Sequence, residues 1–524
     1  MIRVRQIKVS IKNNNIEEIK NKTALKLKIK VSDINSLEIV KKSIDARDKE
    51  NINYIYEVEI DVLNENKVLN KNKTNDVYLK EDESYKLDVK NKRKLNSRPV
   101  IVGTGPAGLF CGYMLSEYGY NPLIIERGEK VEDRVKTIEE FFNGAKLNKN
   151  SNIQFGEGGA GTFSDGKLNT LVKDKNYRMK KVFEIFVECG APKEILYENK
   201  PHIGTDILRN VIINMRNKMI SMGAEFRYNT CLTNLIIENN NIKQIEVNNN
   251  ELIDCDNLIL AIGHSARDTF KMLHEKGLNM VCKPFAVGIR IQHPQKDIDY
   301  SLYGKDSDML PPSSYKLTYK ANSGRGVYSF CMCPGGYVVN ASSEDDHLAI
   351  NGMSNYKRDS ENANSAIVVT VSSNDFGNDL FDGIKFQREL EKKAFEYGKG
   401  NIPVQLFKDF KNNKTSEEFG KINPVFKGQY TFSNINDILP KFICDDLKEA
   451  INYFEKIIKG YSSDDSILAA VESRTSSPIR IIRDENYMSN IKGIYPIGEG
   501  AGYAGGITTS AMDGIRAFEK IISE

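Results

Sequence analysis

The chain has 524 residues, with 74 Lys and Arg against 71 Asp and Glu, five His and a formal charge of +3. That length holds about three domains and a large core, and the near balance of charge excludes a general field that gathers nucleic acid or anionic membrane. There is no apolar leader and no apolar run of spanning length, and eight scattered cysteines fit reduced thiols better than a disulfide framework, so a soluble, multidomain, cytoplasmic protein is expected.

Residues 1–63 read as a small α+β unit. Residues 2–11 alternate as a strand, a short helix fits 16–25, and 54–62 alternate again, while 37–47 suit either a helix or a strand. Residues 64–97 read as a polar connection with one strand at 77–79, and the N-terminal domain with its connection is drawn at 1–92. The basic run 90–98 reads as a solvated linker rather than an RNA-binding arm.

Residues 98–128, RPVIVGTGPAGLFCGYMLSEYGYNPLIIERG, are the most informative stretch. They predict strand, glycine-rich turn, helix and strand, with an acid closing the second strand. Gly103, Gly105 and Gly108 supply a G-x-G-x-x-G spacing, Pro106 and Ala107 open the helix, and Glu126, followed by Arg127, stands where a ribose-binding acid is expected. The first glycine permits a tight turn, the second lets backbone approach a pyrophosphate, and the third lets helix and strand pack closely. The helix aims free N–H groups and its positive end at the phosphates. A dinucleotide is expected to bind here.

A second glycine cluster, FGEGGAGTFSDGKLN, follows at 155–169. Residues 205–222 predict a helix capped by Thr205 or Asp206. Four alternating stretches, 225–228, 231–237, 242–247 and 258–262, read as a β-meander returning to a central parallel sheet. From 283 to 376 the pattern is strand-rich. Residues 383–472 read as mostly helical, with an amphipathic segment around 447–458. A late strand, glycine-rich turn and helix, GIYPIGEGAGYAGGITTSAMDGIRAFEKIISE, close the chain. The expected fold class is α/β: a Rossmann-like dinucleotide domain built from 98–282 and 473–524 with an inserted β-meander, a mixed α+β cap at 283–472, and the small N-terminal α+β domain.

The closing segment decides between dinucleotides. In FAD proteins of the glutathione-reductase-like superfamily, a late apolar strand ending in Gly and Asp or Glu meets the ribityl chain, and the next helix points its N-terminus at the flavin ring. Residues 494–497 with Gly498 and Glu499 resemble that strand, Glu standing for the commoner Asp, and Gly505, Gly506 and Ile507 begin the helix. A positive helix end there stabilises the negative charge of reduced flavin. FAD is favoured over NAD.

The resemblance extends to the bacterial family of FAD-dependent dehydrogenases, often labelled NAD(FAD)-utilising dehydrogenases. FGEGGAGTFSDGKL, PHIGTDIL, AIGHSARD, YSFCMCPGG, INGMS with ANSAIVV, ESRTSSPIRI, YPIGEGAGYAGGI and the N-terminal KKSIDARDK carry it across nearly the whole chain. It implies an FAD fold and an oxidoreductase activity without naming a reaction. It also implies that Gly103, Gly105, Gly108, Glu126 and Arg127 hold the ADP half of FAD. Gly156, Gly158, Gly159, Gly161 and Gly263, with Ser164 or Lys167, would pass near the pyrophosphate and ring.

Candidate reactive groups are fewer. Cys331 and Cys333 share a strand face by i, i+2 spacing and read either as a redox pair or as two half-buried thiols before a Pro-Gly-Gly turn. His264 and Arg267 follow a strand end where ligands bind in open α/β sheets, and His264 suits a general acid or base. Lys167 joins them as a catalytic candidate, and Arg290, Arg325 and Arg474 suit a substrate carboxylate or phosphate. No metal site is expected, with five His and no second Cys cluster. No second G-x-G-x-x-G βαβ unit exists, so a dedicated NAD(P) domain is not expected, and NADH or NADPH would dock transiently as electron donor. A small-molecule substrate is expected, with a nicotinamide or protein redox partner. Two readings compete: an FAD-dependent RNA-modifying enzyme using residues 1–97 for binding, and a flavin-bearing sensor or scaffold.

Overall fold

Three short apolar runs lie side by side at the centre of the computed structural model, which describes every residue except Asp88, Lys90, Asn91 and Glu524. They are Val100–Val102, Leu123–Ile125 and Leu258–Leu260, buried along their whole length. With Ile494–Pro496 and Glu225–Arg227 they make a five-stranded sheet, all parallel, in the order 494–496, 258–260, 100–102, 123–125, 225–227. The runs show no alternation because both faces are covered. Ile101, Ile124 and Ile259 pack beneath the helices Pro106–Glu117, Thr205–Ser221 and Ile507–Ile521. Val100, Val102, Leu123, Ile125, Leu258 and Leu260 face the antiparallel ribbon of Leu232–Glu238, Asn241–Val247 and Glu251–Asp254 and the helix Arg267–Glu275.

The expected four-stranded meander is therefore divided. Glu225–Arg227 and Leu258–Leu260 belong to the parallel sheet, and Glu251–Asp254 supplies the third ribbon strand. The helix after 204 starts at Thr205 with Gly204 as its cap residue, not Thr205 or Asp206. The Thr205 hydroxyl instead donates to the Thr162 carbonyl at 2.7 Å, and Asp206 accepts the Tyr356 N–H at 2.7 Å.

The middle of the chain builds a seven-stranded sheet. Its order is Thr318–Lys320, Gly326–Cys333, Asn362–Val371, Phe285–Pro294, Ile467–Glu472, Ile402–Leu406, Tyr430–Phe432. The last three correct the expectation of a mostly helical 383–472. IPVQL and ILAAVE are buried at every position, so they carry no strand alternation to read. The amphipathic helix runs Lys441–Phe454 and turns Ile443, Leu447, Ala450, Ile451 and Phe454 onto this sheet.

At the N-terminus, Ile34–Asp45, Asn53–Val62, Ile2–Ser10 and Val77–Leu79 form an antiparallel sheet in that order, covered by the helix Ile16–Leu27. The ambiguous 37–47 stretch is strand, and the polar connection also holds a helix, Glu65–Lys71. The basic run 90–98 lies partly outside the described residues. Lys42 ties this unit to the rest, pairing with Glu198 at 2.9 Å and donating its N–H to the Tyr197 carbonyl at 2.8 Å. No helix among the described residues is long and apolar enough to cross a membrane.

Close helix contact ties the edge strand Ile494–Pro496 to the central strand Val100–Val102. A Cβ on Gly514, in the last helix, would lie 2.2 Å from the Ala107 carbonyl oxygen in the first. Forcing that contact apart is overpacking, which costs roughly 1–3 kcal/mol for inserted carbons. Gly514→Val is expected to lower the urea-unfolding free energy by at least that amount, and an unchanged midpoint would show that the two helices are not held this tightly.

Candidate functional site

The C-terminal ends of the parallel strands open into a cleft of about 380 Å³, the place where open α/β sheets bind ligands. Two helix N-termini reach it. Pro106–Glu117 begins after Gly105, Ile507–Ile521 begins after Gly506, and neither start is capped by a side chain. Free N–H groups and the positive ends of both helix dipoles therefore face one cavity. Two anion-seeking ends converge on it.

The cleft floor is the loop 151–159, which has no regular structure of its own and must find partners for its backbone elsewhere. Arg134, fully buried, supplies them. Its Nε donates to Asn152 O at 2.9 Å, Nη2 to Ile153 O at 3.0 Å, and Nη1 to Glu157 O at 2.7 Å and Gly159 O at 2.9 Å. Burial pushes the Arg134 guanidinium down to about 9, partly offset by Glu126 and Glu157. Gly156, at φ 118°, passes so close that a Cβ would lie 2.4 Å from Arg134 Cδ.

Glu126 works on the same loops. One oxygen accepts the N–H and hydroxyl of Thr104 at 3.0 and 2.7 Å, and the other accepts the N–H groups of Gly128 and Gly156, both at 3.0 Å. Four bonds match the lone-pair sites of a carboxylate, so this acid pins both glycine turns as well as lining the cleft. Beside it Arg127 stacks over Phe155 at 4.5 Å and bonds Asp268 at 2.7 Å.

The opposite end of the cleft is lined by reactive groups. Lys167 pairs with Asp165 at 2.6 Å, and Asp165 also accepts two bonds from Arg358 at 2.9 and 2.6 Å. Burial alone would lower the Lys167 ammonium, but Asp165, Cys333 and Cys331 together raise it. Cys331, Asn351 and Glu472 complete this wall. Arg290 lies behind it, donating to Glu472 at 2.8 Å, Cys331 O at 3.1 Å and Asn351 at 3.0 Å. Burial pushes the Glu472 carboxyl up to about 7 despite Arg290. His264 stands between the two ends, its Nδ1 3.1 Å from Glu499 and its buried Nε2 without a hydrogen-bond partner.

Of the residues singled out in the sequence, Gly103, Gly105, Pro106, Ala107, Glu126, Arg127, Gly156, Gly159, Gly161, Ser164, Lys167, Gly263, His264, Cys331, Arg474, Glu499, Gly505, Gly506 and Ile507 line the cleft. Others do not. Gly108 is a packing residue, since a Cβ there would meet Gly103 O at 2.0 Å, and Gly158 is closed off by the Thr162 hydroxyl. Gly498 gives its N–H to Asp513 at 2.8 Å. Cys333 is fully buried behind Cys331.

Arg267 is corrected from catalytic candidate to latch. Its guanidinium points away from the cleft to Glu391 at 2.9 Å through two nitrogens, and to Gln387 and Glu344. Glu391 is shared with Arg474, which reaches it at 2.9 Å. Burial would raise the Glu391 carboxyl, but the two guanidiniums outweigh it and hold it far below the carboxylate range. Arg290 is wholly buried and committed to partners, and Arg325 is engaged with Asp375 and Phe442. Sequence reasoning missed Arg134, Asp165, Asn351, Arg358 and Glu472. Each is a lone polar residue in an apolar or loop context, and only Asp165, Asn351 and Glu472 sat inside phrases already marked, FGEGGAGTFSDGKL, INGMS and ESRTSSPIRI.

The cavity suits a flavin dinucleotide. A Cβ on Gly105, Gly263 or Gly505 would meet no protein atom within 4 Å, so these glycines leave room for something other than the chain. The unpartnered His264 Nε2 and the uncapped helix starts add polar groups with no partner in the protein.

Two family models agree with an FAD-binding, Rossmann-like chain. Residues 284–475 match the family model for FAD-dependent protein, C-terminal domain-like, residues 101–158 match an NAD(P)-binding Rossmann-like domain, and residues 1–61 match a domain of unknown function. An uncharacterized protein of Clostridium beijerinckii is 43% identical over 530 residues, covering 100% of this chain and 99% of that one. Among solved structures, the glycerol-3-phosphate dehydrogenase from Bacillus halodurans complexed with FAD is 11% identical, with 81% of this chain and 64% of that one covered at a TM-score of 0.34. Glycine oxidase from Bacillus cereus is 10% identical, with 82% and 95% covered at a TM-score of 0.32.

Glu472 gives the cleft a pH signature. Between its ordinary 4.5 and about 7, the folded chain keeps a proton that the unfolded chain has released. Its contribution to stability therefore falls as pH rises through that window, by roughly 3 kcal/mol in all. Glu472→Gln removes the proton and keeps the shape. In urea unfolding from pH 4.5 to 7, wild type is expected to lose stability relative to Glu472→Gln, and parallel profiles would contradict the shift.

Proposed function

We propose that this chain, which belongs with the 43% identical Clostridium beijerinckii protein to a family of FAD-dependent proteins carrying a Rossmann-like domain, moves two electrons between bound FAD and a small molecule admitted at the Lys167–Cys331 end of the cleft. The observation that carries this is the convergence of two uncapped helix N-termini on one glycine-lined cavity. The start of Pro106–Glu117 would hold the pyrophosphate, with the turn at Gly103 allowing close approach. A φ of 101° and a Cβ position 2.6 Å from the Ala261 carbonyl oxygen leave only glycine at 103. Arg127 on Phe155 would wall the adenosine end, and Glu499 with His264 would meet the ribityl chain.

FAD, when bound, supplies two-electron chemistry that no side chain can. The chain's part is to place it and to handle charge and protons. The start of Ile507–Ile521 stabilises negative charge beside it. Lys167, Asn351 and Ser164 would orient a polar substrate, and Glu472, titrating near neutrality, is suited to hold or release a proton there. With no second strand–G-x-G-x-x-G–helix–strand unit to hold a nicotinamide dinucleotide, NADH or NADPH as donor would dock against the open side of the cleft.

Gly105 separates this reading from a structural glycine turn. Its backbone needs no left-handed φ, and a side chain there points into free space. Gly105→Leu is expected to leave thermal unfolding of the FAD-free protein unchanged while reducing FAD affinity at least 100-fold by fluorescence titration. Undiminished FAD binding would contradict the placement. Anaerobic addition of NADH or NADPH to the wild-type holoprotein is expected to bleach the flavin bands. Bands that persist with both would remove nicotinamide as the donor.

A further inference from the structure

The cleft wall holds two thiols that the flavin site does not need. Cys331 lines the cavity, and Cys333 lies directly behind it, wholly buried, with Sγ 3.3 Å from the Cys331 carbonyl oxygen. On a regular strand, i and i+2 Cα atoms lie about 6.6 Å apart, near the upper limit for a disulfide at about 6.8 Å. This strand is not regular. Its pairing with Asn362–Val371 slips between Phe330 and Cys333, and Cys331 sits at φ 43°, a left-handed conformation costly for a residue with a Cβ. The bulge draws the two cysteines toward each other instead of leaving them on a flat, extended segment.

The surroundings are those of a reactive thiol. Lys167 faces both sulfurs from the cleft, and the Arg290 guanidinium donates to the Cys331 carbonyl at 3.1 Å. Cys333, Lys167 and Arg290 hold the Cys331 thiol well below its ordinary range against the opposing effect of burial, while Cys333 is pushed well above. An accessible thiolate backed by a buried, protonated thiol is the arrangement of an attacking and a resolving cysteine. Cys231 offers a contrast on the same cleft: it bonds Arg127 at 3.1 Å and has no neighbouring thiol among the described residues.

We propose that Cys331 and Cys333 are a redox-active dithiol that exchanges two electrons with the flavin. The proposal rests on the FAD reading above. In the oxidising direction the Cys331 thiolate and the Cys333 thiol join in an S–S bond; two electrons and the Cys333 proton pass to oxidised FAD, leaving it as anionic FADH⁻. In the reverse direction the S–S bond breaks, Cys333 regains its proton, and Cys331 leaves as a thiolate opposite Lys167. No further reactant is required. A disulfide across a single residue is strained and hence readily reduced, as a working couple must be.

Two readouts test this. The FAD-loaded protein, oxidised with diamide and then alkylated, is digested and weighed. The peptide carrying Cys331 and Cys333 is expected to be unalkylated and two hydrogens lighter than the dithiol, while Cys231 is alkylated. Anaerobic dithionite titration of the oxidised holoprotein is expected to consume four electrons per FAD, falling to two in Cys331→Ser and in Cys333→Ser, each still yellow and therefore folded. A yellow wild-type protein that takes up two electrons, with both cysteines alkylated after diamide, overturns the inference alone. A protein that holds no FAD overturns the flavin reading, and this inference with it.

Discussion

Everything in the cleft depends on satisfying the backbone of one irregular loop. Residues 151–159 run beneath the glycine turn after Val100–Val102, and a buried loop carries carbonyls that water cannot reach. Arg134 meets four of them with one planar group, stacking on Phe163 at 4.7 Å as it does so. Its fixed fork of donors suits carbonyls arranged around it in a way that a lysine could not match. Glu126 and Glu157 complete the clasp. Glu157, fully buried, accepts from Val131 N–H at 2.8 Å, Arg216 at 2.7 Å and Tyr228 at 2.6 Å. Three buried charges thus shape a surface that is itself almost free of side chains. Backbone N–H groups are left facing the ligand, which is what binding a pyrophosphate requires.

The roof over this floor comes from the middle of the chain. Glu391, on the helix Asp382–Tyr397, is gripped by Arg267 from the parallel-sheet half and by Arg474 from the returning chain, and Ser473 adds a bond at 2.7 Å. Arg474 also bonds Ser265 at 3.0 Å, beside His264. Removing one partner from such a network would leave a buried charge uncompensated, a heavier loss than the pair's net worth. The network fixes how the wall bearing Cys331, Asn351 and Glu472 stands over the sheet ends, and so joins the place where charge is anchored to the place where chemistry occurs.

How much of this was readable in advance follows from which physics acts locally. The Rossmann-like half was legible because glycine spacing, flanking apolar strands and a terminal acid occur within about thirty residues, and each has a local cause. His264, Lys167, Glu499 and Cys331 were legible as candidates by their place in marked phrases. The strands Ile402–Leu406 and Ile467–Glu472 were not, because burial on both faces erases the period-two pattern. Arg267 misled for another reason: its position after a strand end suggested the cleft, but its direction was set by Glu391, 124 residues away. Arg134 gave no signal, and Glu472 none beyond its place in ESRTSSPIRI, since their roles arise only when distant segments meet.

The central claim is that the two uncapped helix starts and the loop held by Arg134 together form one FAD site. The most direct test is the flavin content of the purified protein, measured by absorbance and by release of the bound nucleotide on denaturation. The account predicts one non-covalent FAD per chain, retained through gel filtration or regained on adding FAD. A colourless protein that takes up no FAD would contradict it.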